Sequence, residues 1–308
     1  MEVVLGTHIR PMTTKVPTDE LLPPSLLAKL ERLEFASRKM FRGQLKGERR
    51  SRRRGQSVEF DDFRNYVPGD DLRLIDWNLY ARLDQLFLKL FQEEEERHFY
   101  ALVDASGSMG FGTPSKFLVA RQLAAALGYI GLCRSDRVSV QILGHAGRKA
   151  PVLRSRSSLW QMLQYLETVT LGQNDSLGES IRDFASRQTG SGIVVLISDF
   201  LDKEGFESAL RMLVNHRMDV FVMHLLSPEE INPTLRGDHR LIDSEDEDFA
   251  DLTINQYAVD QYLANLKGFI ESIKTFCNRR SMVYVPISTE MRIEEMATTY
   301  LRQRGVVR

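Results

Sequence analysis

"FYALVDASGSMGFG", residues 99–112, decides the fold. An apolar run, Phe99 to Val103, leads straight into Asp104. A short continuous run of this kind suits a strand buried on both faces of a parallel sheet. Ser106 and Ser108 follow at alternate positions, with Gly107 and Gly110 close by. Glycine lets a loop curl tightly, so both hydroxyls can turn inward beside the carboxylate.

Downstream, strands alternate with helices. The helix from Ser115 to about Cys133 is apolar on nearly all faces and is predicted to be deeply buried, with Thr113 and Pro114 as its cap and first position. "RVSVQILG" and "RKAPVLR" read as short strands, and "SSLWQMLQYLETV" as a helix. "SLGESIRDFASR" is another helix, in which Ser176 and Glu179 have capping-box spacing. "GIVVLISDF" is a second continuous apolar strand, ending at Asp199. "FESALRMLVNH", "DVFVMHLL", a long helix near 255–279, "MVYVPIS" and "EEMATTYLRQR" continue the alternation. This order implies an α/β fold, a central mostly parallel sheet with helices on both faces. In such sheets ligands bind at the carboxyl ends of the strands. Asp104 and Asp199 each stand at one.

Upstream the pattern changes. Residues 1–24 are rich in Pro and Thr and read as a poorly ordered tail. Residues 25–98 read as an extension, opened by a helical stripe of Leu26, Leu27, Leu30, Leu33 and Phe41. "SVEFDDFRNYV", "LRLIDWNLYA" and "QLFLKLF" suggest strands and hairpins, with "VPGDD" as a turn. Residues 99–308 form the main domain. "KGERRSRRRGQ" packs six basic residues into Lys46–Arg54. It is read first as a solvated loop, then as a docking segment for an acidic partner or for the acidic runs at 92–98 and 243–251. Nucleic-acid binding is the weaker reading, because no aromatic residues interleave.

Composition sets the class. The chain has 308 residues, 43% hydrophobic and 27% charged, with a formal net charge of −1. That is an ordinary globular profile with no global field toward nucleic acid or membrane. Cys133 and Cys277 are far apart, which is neither a disulfide framework nor a zinc spacing. The N-terminus lacks a signal-peptide pattern, and "LAAALGYIGLC" is too short a run to span a bilayer. A cytoplasmic protein is the expectation.

Several chemistries fit "DASGSM" poorly. "SGSMG" lacks the first glycine of a nucleophile elbow around Ser108. No phosphate-binding G-x-x-x-x-G-K-[ST] occurs, and none of the six histidines sits in a recognisable base motif. An aspartyl phosphotransferase would usually carry a second Asp where Ser106 stands. A turn without function is the bland alternative. Hydroxyls and carboxylates are hard oxygen donors suited to Mg²⁺ or Mn²⁺, and a metal explains more of the pattern. Trp77 and Trp160 read as packing residues, and His145, His216 and His224 as structural.

"DASGSM" before a helix, with "LISDF" later, resembles the metal-ion-dependent adhesion site of von Willebrand factor A domains, over about 99–308. "RSRRRGQSVEFDDFRNYVPGDDLRLIDWNLYARLDQLFLKLFQEEEE" closely resembles the signature of the bacterial domain-of-unknown-function fifty-eight family. That resemblance implies a von Willebrand factor A-like (Rossmann-like) domain joined to the extension. It also implies association with AAA+ ATPases of the MoxR class, beside which the family is often encoded. Carried over by motif, the metal ligands are Asp104, Ser106 and Ser108 from the first loop and Asp199 from the third. The second loop departs from the family's G-G-T-x-L, reading "LGQNDSLGES", so Asp175 stands where the threonine is expected. Asn174 is the reserve candidate, and Ser176 is better used as a cap. A third carboxylate at Asp175 would hold a cation more firmly and receive an acidic ligand less readily. Arg64, Asp70, Asp71, Arg73 and Asp76 belong to the signature and are expected to lock the extension to the main domain through paired charges.

The expected function is a non-enzymatic, metal-dependent interaction module, an adaptor or co-chaperone for a MoxR-type ATPase and a client protein. It would have no nucleic-acid or membrane-inserted role. A metal-dependent hydrolase of phosphate esters and a structural protein with a vestigial metal loop stay open.

Overall fold

The computed structural model describes residues 17–36, 60–91, 97–144, 150–172, 176–187, 192–214, 218–234, 237–242 and 249–308. Asp175, Asn174, His145, His216, the basic run and the acidic stretches 92–96 and 243–248 lie outside the described residues. The chain divides into two compact units, one of residues 1–45 and 97–308, the other of residues 46–96.

The larger unit is built on a six-stranded sheet. Its strands are β3 (His98–Asp104), β4 (Arg137–Leu143), β5 (Val152–Leu153), β6 (Gly192–Ser198), β7 (Met218–Leu226) and β10 (Val283–Ser288), in the spatial order β10-β7-β6-β3-β4-β5. All neighbours are parallel except β5, which runs antiparallel to β4. The alternation of side chains along each strand feeds two separate cores. Phe99, Ala101 and Val103 of β3 join one cluster; Tyr100 and Leu102 join the other.

Helices cover both faces. On the first lie α4 (Lys116–Cys133) and α5 (Leu159–Glu167); on the second lie α6 (Leu177–Arg187), α7 (Phe206–Val214) and α9 (Gln256–Arg279). As its all-round apolarity predicts, α4 is buried along nearly its whole length. It is also long and apolar enough to cross a membrane, but its sides are packed inside the core. Gly131 explains how closely it approaches the sheet, since a Cβ there would lie 2.8 Å from Val138 Cγ2. The helix starts at Lys116, and Ser115 rather than Thr113 caps it, accepting from Leu118 N–H at 3.2 Å.

The connections set the position of the site. The chain leaves β3 through α4 on one face and leaves β6 through α7 on the other. β3 and β6 are neighbours, so the crevice between their carboxyl ends is the sheet's topological switch point.

Several sequence expectations change. The segment expected as a poorly ordered tail to residue 24 contains α1 (Thr18–Leu21), and Leu21 and Leu22 are buried in the first core. With α2 (Pro24–Leu30), which buries Leu26 and Leu30, this segment belongs to the larger unit and not to a 25–98 extension. Apolar spacing outweighs the Pro and Thr content, and the C-terminus completes the packing. Ala36 N–H donates to Val306 O at 2.9 Å, and Phe35 stacks on Phe99 at 4.7 Å. A hairpin of β8 (Gly237–Ile242) and β9 (Phe249–Ile254) was not expected between the sheet and α9. "LRLIDWNLYA" is not a strand. Its first part is a 3-10 turn (Leu72–Leu74) and its second is α3 (Trp77–Leu83), because Asp71 and Asp76 cap them.

The smaller unit pairs β1 (Phe60–Asn65) with β2 (Phe87–Phe91). Several of its signature charges pair within the unit. Arg64 grips Asp70 with two bonds of 2.8 and 2.6 Å, and Asp70 also accepts from Val67 N–H at 3.0 Å. Asp76 caps α3 through Asn78 and Leu79 N–H and meets Lys89 Nζ at 3.1 Å. Trp77 and Trp160, expected as packing residues, are both more than 60% exposed (61% and 63%).

Candidate metal centre

Four loops meet at the switch point. The first follows β3. Asp104 is buried at the strand end, and its Oδ1 accepts Ser106 N–H at 2.9 Å, which curls the loop back on itself. A 3-10 turn over Gly107–Gly110 then places Ser108 Oγ 3.0 Å from Ser106 Oγ. The three residues singled out by spacing therefore converge.

The third loop brings Asp199, also buried. Ser198 joins it to the first loop, donating from Oγ to Asp104 Oδ2 at 2.5 Å and accepting from Phe200 N–H at 2.8 Å. Phe200 turns the chain at φ 60, a left-handed conformation that is uncommon for an aromatic residue. Its ring is held edge-on against Phe206 and His224.

The second loop abuts the first. Gly172 N–H donates to Ala105 O at 2.6 Å, and a Cβ on Gly172 would lie 2.5 Å from Gly144 O. Only glycine allows that approach. Ser176 Oγ accepts Glu179 N–H at 3.2 Å, the capping role expected of it, and Leu177 N–H donates to Asp202 Oδ2 at 2.6 Å.

The fourth element was not foreseen. Lys116 Nζ lies 2.7 Å from Asp199 Oδ2 and 2.6 Å from Glu230 Oε1, with the lysine side chain wholly buried. The contact to Asp199 is a buried ion pair. Glu230 sits in the short helix α8 (Pro228–Ile231) after β7. There it completes a capping box, its Oε2 accepting Ser227 N–H at 2.7 Å. A signal for Lys116 was present. It is the first residue of an apolar helix, where the helix dipole disfavours a cation. Something anionic had to meet it.

Electrostatics follow from this crowding. Burial, and then the charge of Asp199, push Asp104 up to about 6 against the hydrogen bonds from Ser198 and Ser106. Burial lowers the Lys116 pKa, but Asp199 and Glu230 together raise it above the ordinary value, so the ammonium is secure. Burial lowers His224 to about 4. Its Nδ1 faces Tyr284 Oη at 2.7 Å.

The donor set suits a hard divalent ion. An octahedral Mg²⁺ holds oxygens at about 2.1 Å, which sets neighbouring ligands about 3 Å apart. The observed hydroxyl pair has that spacing. Asp199 Oδ2 is a buried carboxylate oxygen that faces the Lys116 ammonium at 2.7 Å. Among the described residues no three His, Cys, Asp or Glu side chains are grouped so as to hold a metal ion.

Comparison with known proteins agrees with the sequence signature. Residues 62–284 match the family described as "Protein of unknown function DUF58". Uncharacterized proteins of Mycobacterium bovis and Mycobacterium tuberculosis are 28% identical over 228 residues, covering 72% of this chain and 72% of theirs. Among solved structures, the conserved hypothetical protein BatB from Bacteroides thetaiotaomicron overlaps at a TM-score of 0.41 and 17% identity, covering 68% of this chain and 96% of that one. An aerotolerance-related membrane protein from Bacteroides fragilis overlaps at 0.39 and 15%, covering 68% and 98%.

Proposed function

The chain belongs to the DUF58 family, and we propose that it is a non-enzymatic interaction module whose larger unit works as a von Willebrand factor A-like domain. Ser106 and Ser108 would hold Mg²⁺ or Mn²⁺ directly, with Asp104 and Asp199 acting directly or through water. Asp175 is the ligand proposed from the second loop. When bound, the cation supplies an open coordination position for an oxygen donor of a partner. The observation that carries this reading is the hydroxyl pair, 3.0 Å apart beside two buried carboxylates at the switch point.

The chain's own residues would supply the rest. Ser198 and the Ser106 N–H orient Asp104. The partner we propose is a MoxR-type AAA+ ATPase, acting with a client protein in the cytoplasm. The hydrolase alternative needs a general base that reaches substrate. His224 is fully buried and held neutral, which does not favour it.

The test is binding of the intact protein to the MoxR-type ATPase, in Mg²⁺ and in chelator, for wild type and Ser106→Ala/Ser108→Ala. The reading expects affinity to fall at least about tenfold with either change, a difference of about 1.4 kcal/mol. Equal binding in all cases contradicts it. Hydrolysis of a phosphate ester that disappears in Asp104→Ala would favour the enzyme.

A further inference from the structure

Lys116 is not among the residues that a metal site calls for. It is a monocation buried against one of the carboxylates that a divalent ion would use. Its ammonium is shared between Asp199 Oδ2 at 2.7 Å and Glu230 Oε1 at 2.6 Å. No solvent reaches the lysine, and Asp199 is 1% exposed, so little screens the attraction. The position is costly in itself, since a cation at the first residue of α4 opposes the helix dipole.

We infer that Lys116 is a tethered counter-ion that competes with the divalent cation for Asp199, and that Glu230 sets how strongly it competes. This rests on the metal reading above. Glu230 draws part of the ammonium's charge away from Asp199. Its other oxygen is fixed by Ser227 N–H at 2.7 Å, and α8 ties that arrangement to the end of β7. The free protein therefore holds its cation less firmly than a site with two unopposed carboxylates. This revises the charge count from sequence alone, in which every carboxylate strengthened the site. It makes Lys116 and Glu230 positioning residues of opposite sign.

Opposite signs give the test. Mn²⁺ is titrated into the full chain and followed by calorimetry and by the electron paramagnetic resonance of free Mn²⁺. The proteins are wild type, Lys116→Met, Glu230→Gln and Ser106→Ala/Ser108→Ala. Removing the ammonium should tighten Mn²⁺ binding at least about tenfold. Glu230→Gln leaves the ammonium to Asp199 alone and should weaken binding severalfold. General damage to the site would weaken both, so it cannot produce this pattern. If wild type binds Mn²⁺ through the serines but both variants weaken or neither changes, Lys116 is a structural ion-pair member and the inference is wrong. If wild type binds no Mn²⁺, or the double serine variant binds as well as wild type, the metal reading fails and takes the inference with it. Should Lys116→Met fold only with metal present, Glu230→Gln decides alone: weaker binding supports the inference, and unchanged or tighter binding overturns it.

Discussion

The strand-end cluster and the smaller unit use the same chemistry under opposite conditions. In the cluster, Lys116 meets Asp199 with side chains 0% and 1% exposed. In the smaller unit, Arg64 meets Asp70 with side chains 37% and 23% exposed, and Arg73 meets Asp71 at 82% and 38%. The distances differ little, at 2.7 Å for Lys116 and 2.6 Å for Arg64. The consequences of breaking them differ greatly. Burial removes the water that would solvate an abandoned partner. An exposed pair gives its charges back to solvent at almost no cost. Ion pairing in the smaller unit shapes a turn and a cap, whereas in the cluster it decides whether two carboxylates can remain buried.

The comparison can be broken from its strong end. Lys116→Ala, in chelator, should lose about 3–5 kcal/mol of unfolding free energy, because Asp199 and Glu230 are left without their cation. Denaturant unfolding measures it. A loss below about 1 kcal/mol would mean that the buried pair behaves like a surface one.

An intermediate case is Asp136, buried at the start of β4, with Arg97 Nε 3.3 Å away and half-exposed. Burial pushes Asp136 up to about 6, outweighing Arg97 and Arg134, which pull it down. The sign is that of a carboxyl raised on folding. Between about pH 4 and pH 6 the unfolded chain has released this proton and the native state still holds it. Stability contributed by the protonated form is therefore lost as pH rises through that window. Relative to Asp136→Asn, wild type should lose about 2 kcal/mol between pH 4 and pH 7. Parallel stability curves for the two proteins would show that Arg97 compensates the burial.

At the weak end, Arg64→Ala should cost about 0.2–1 kcal/mol despite its two short bonds, and less at high salt. Chemical denaturation at low and high ionic strength checks it. A cost comparable to that of Lys116→Ala would erase the contrast.

The same contrast explains what was legible in the sequence. Strands such as Phe99–Val103 and Ile193–Ile197 declare themselves by unbroken apolarity, and so the sheet, its parallel sense and the strand-end aspartates could be read directly. The serine pair was legible because its spacing is local. The roles of Ser198, Lys116 and Glu230 were not, because each comes from a residue between 83 and 114 positions away, brought near by the sheet order; for Lys116 only its place at the head of an apolar helix was a signal. Leu21 and Leu22 were hidden by neighbouring prolines, and the helices that the Thr18–Leu21 segment packs against, α4 and α5, are distant in sequence. Asp71 and Asp76 were visible as charges, but their capping bonds, which turn an expected strand into helix, depend on backbone geometry.

The central claim is that two serine hydroxyls, backed by buried carboxylates, hold a divalent cation. Calorimetric titration of Mg²⁺ and Mn²⁺ into the intact protein tests it most directly, with Ser106→Ala/Ser108→Ala as the partner experiment. The account expects one ion per chain in wild type and its loss in the double variant, while the variant keeps its fold by circular dichroism. Equal binding by both proteins, or binding by neither, would contradict it.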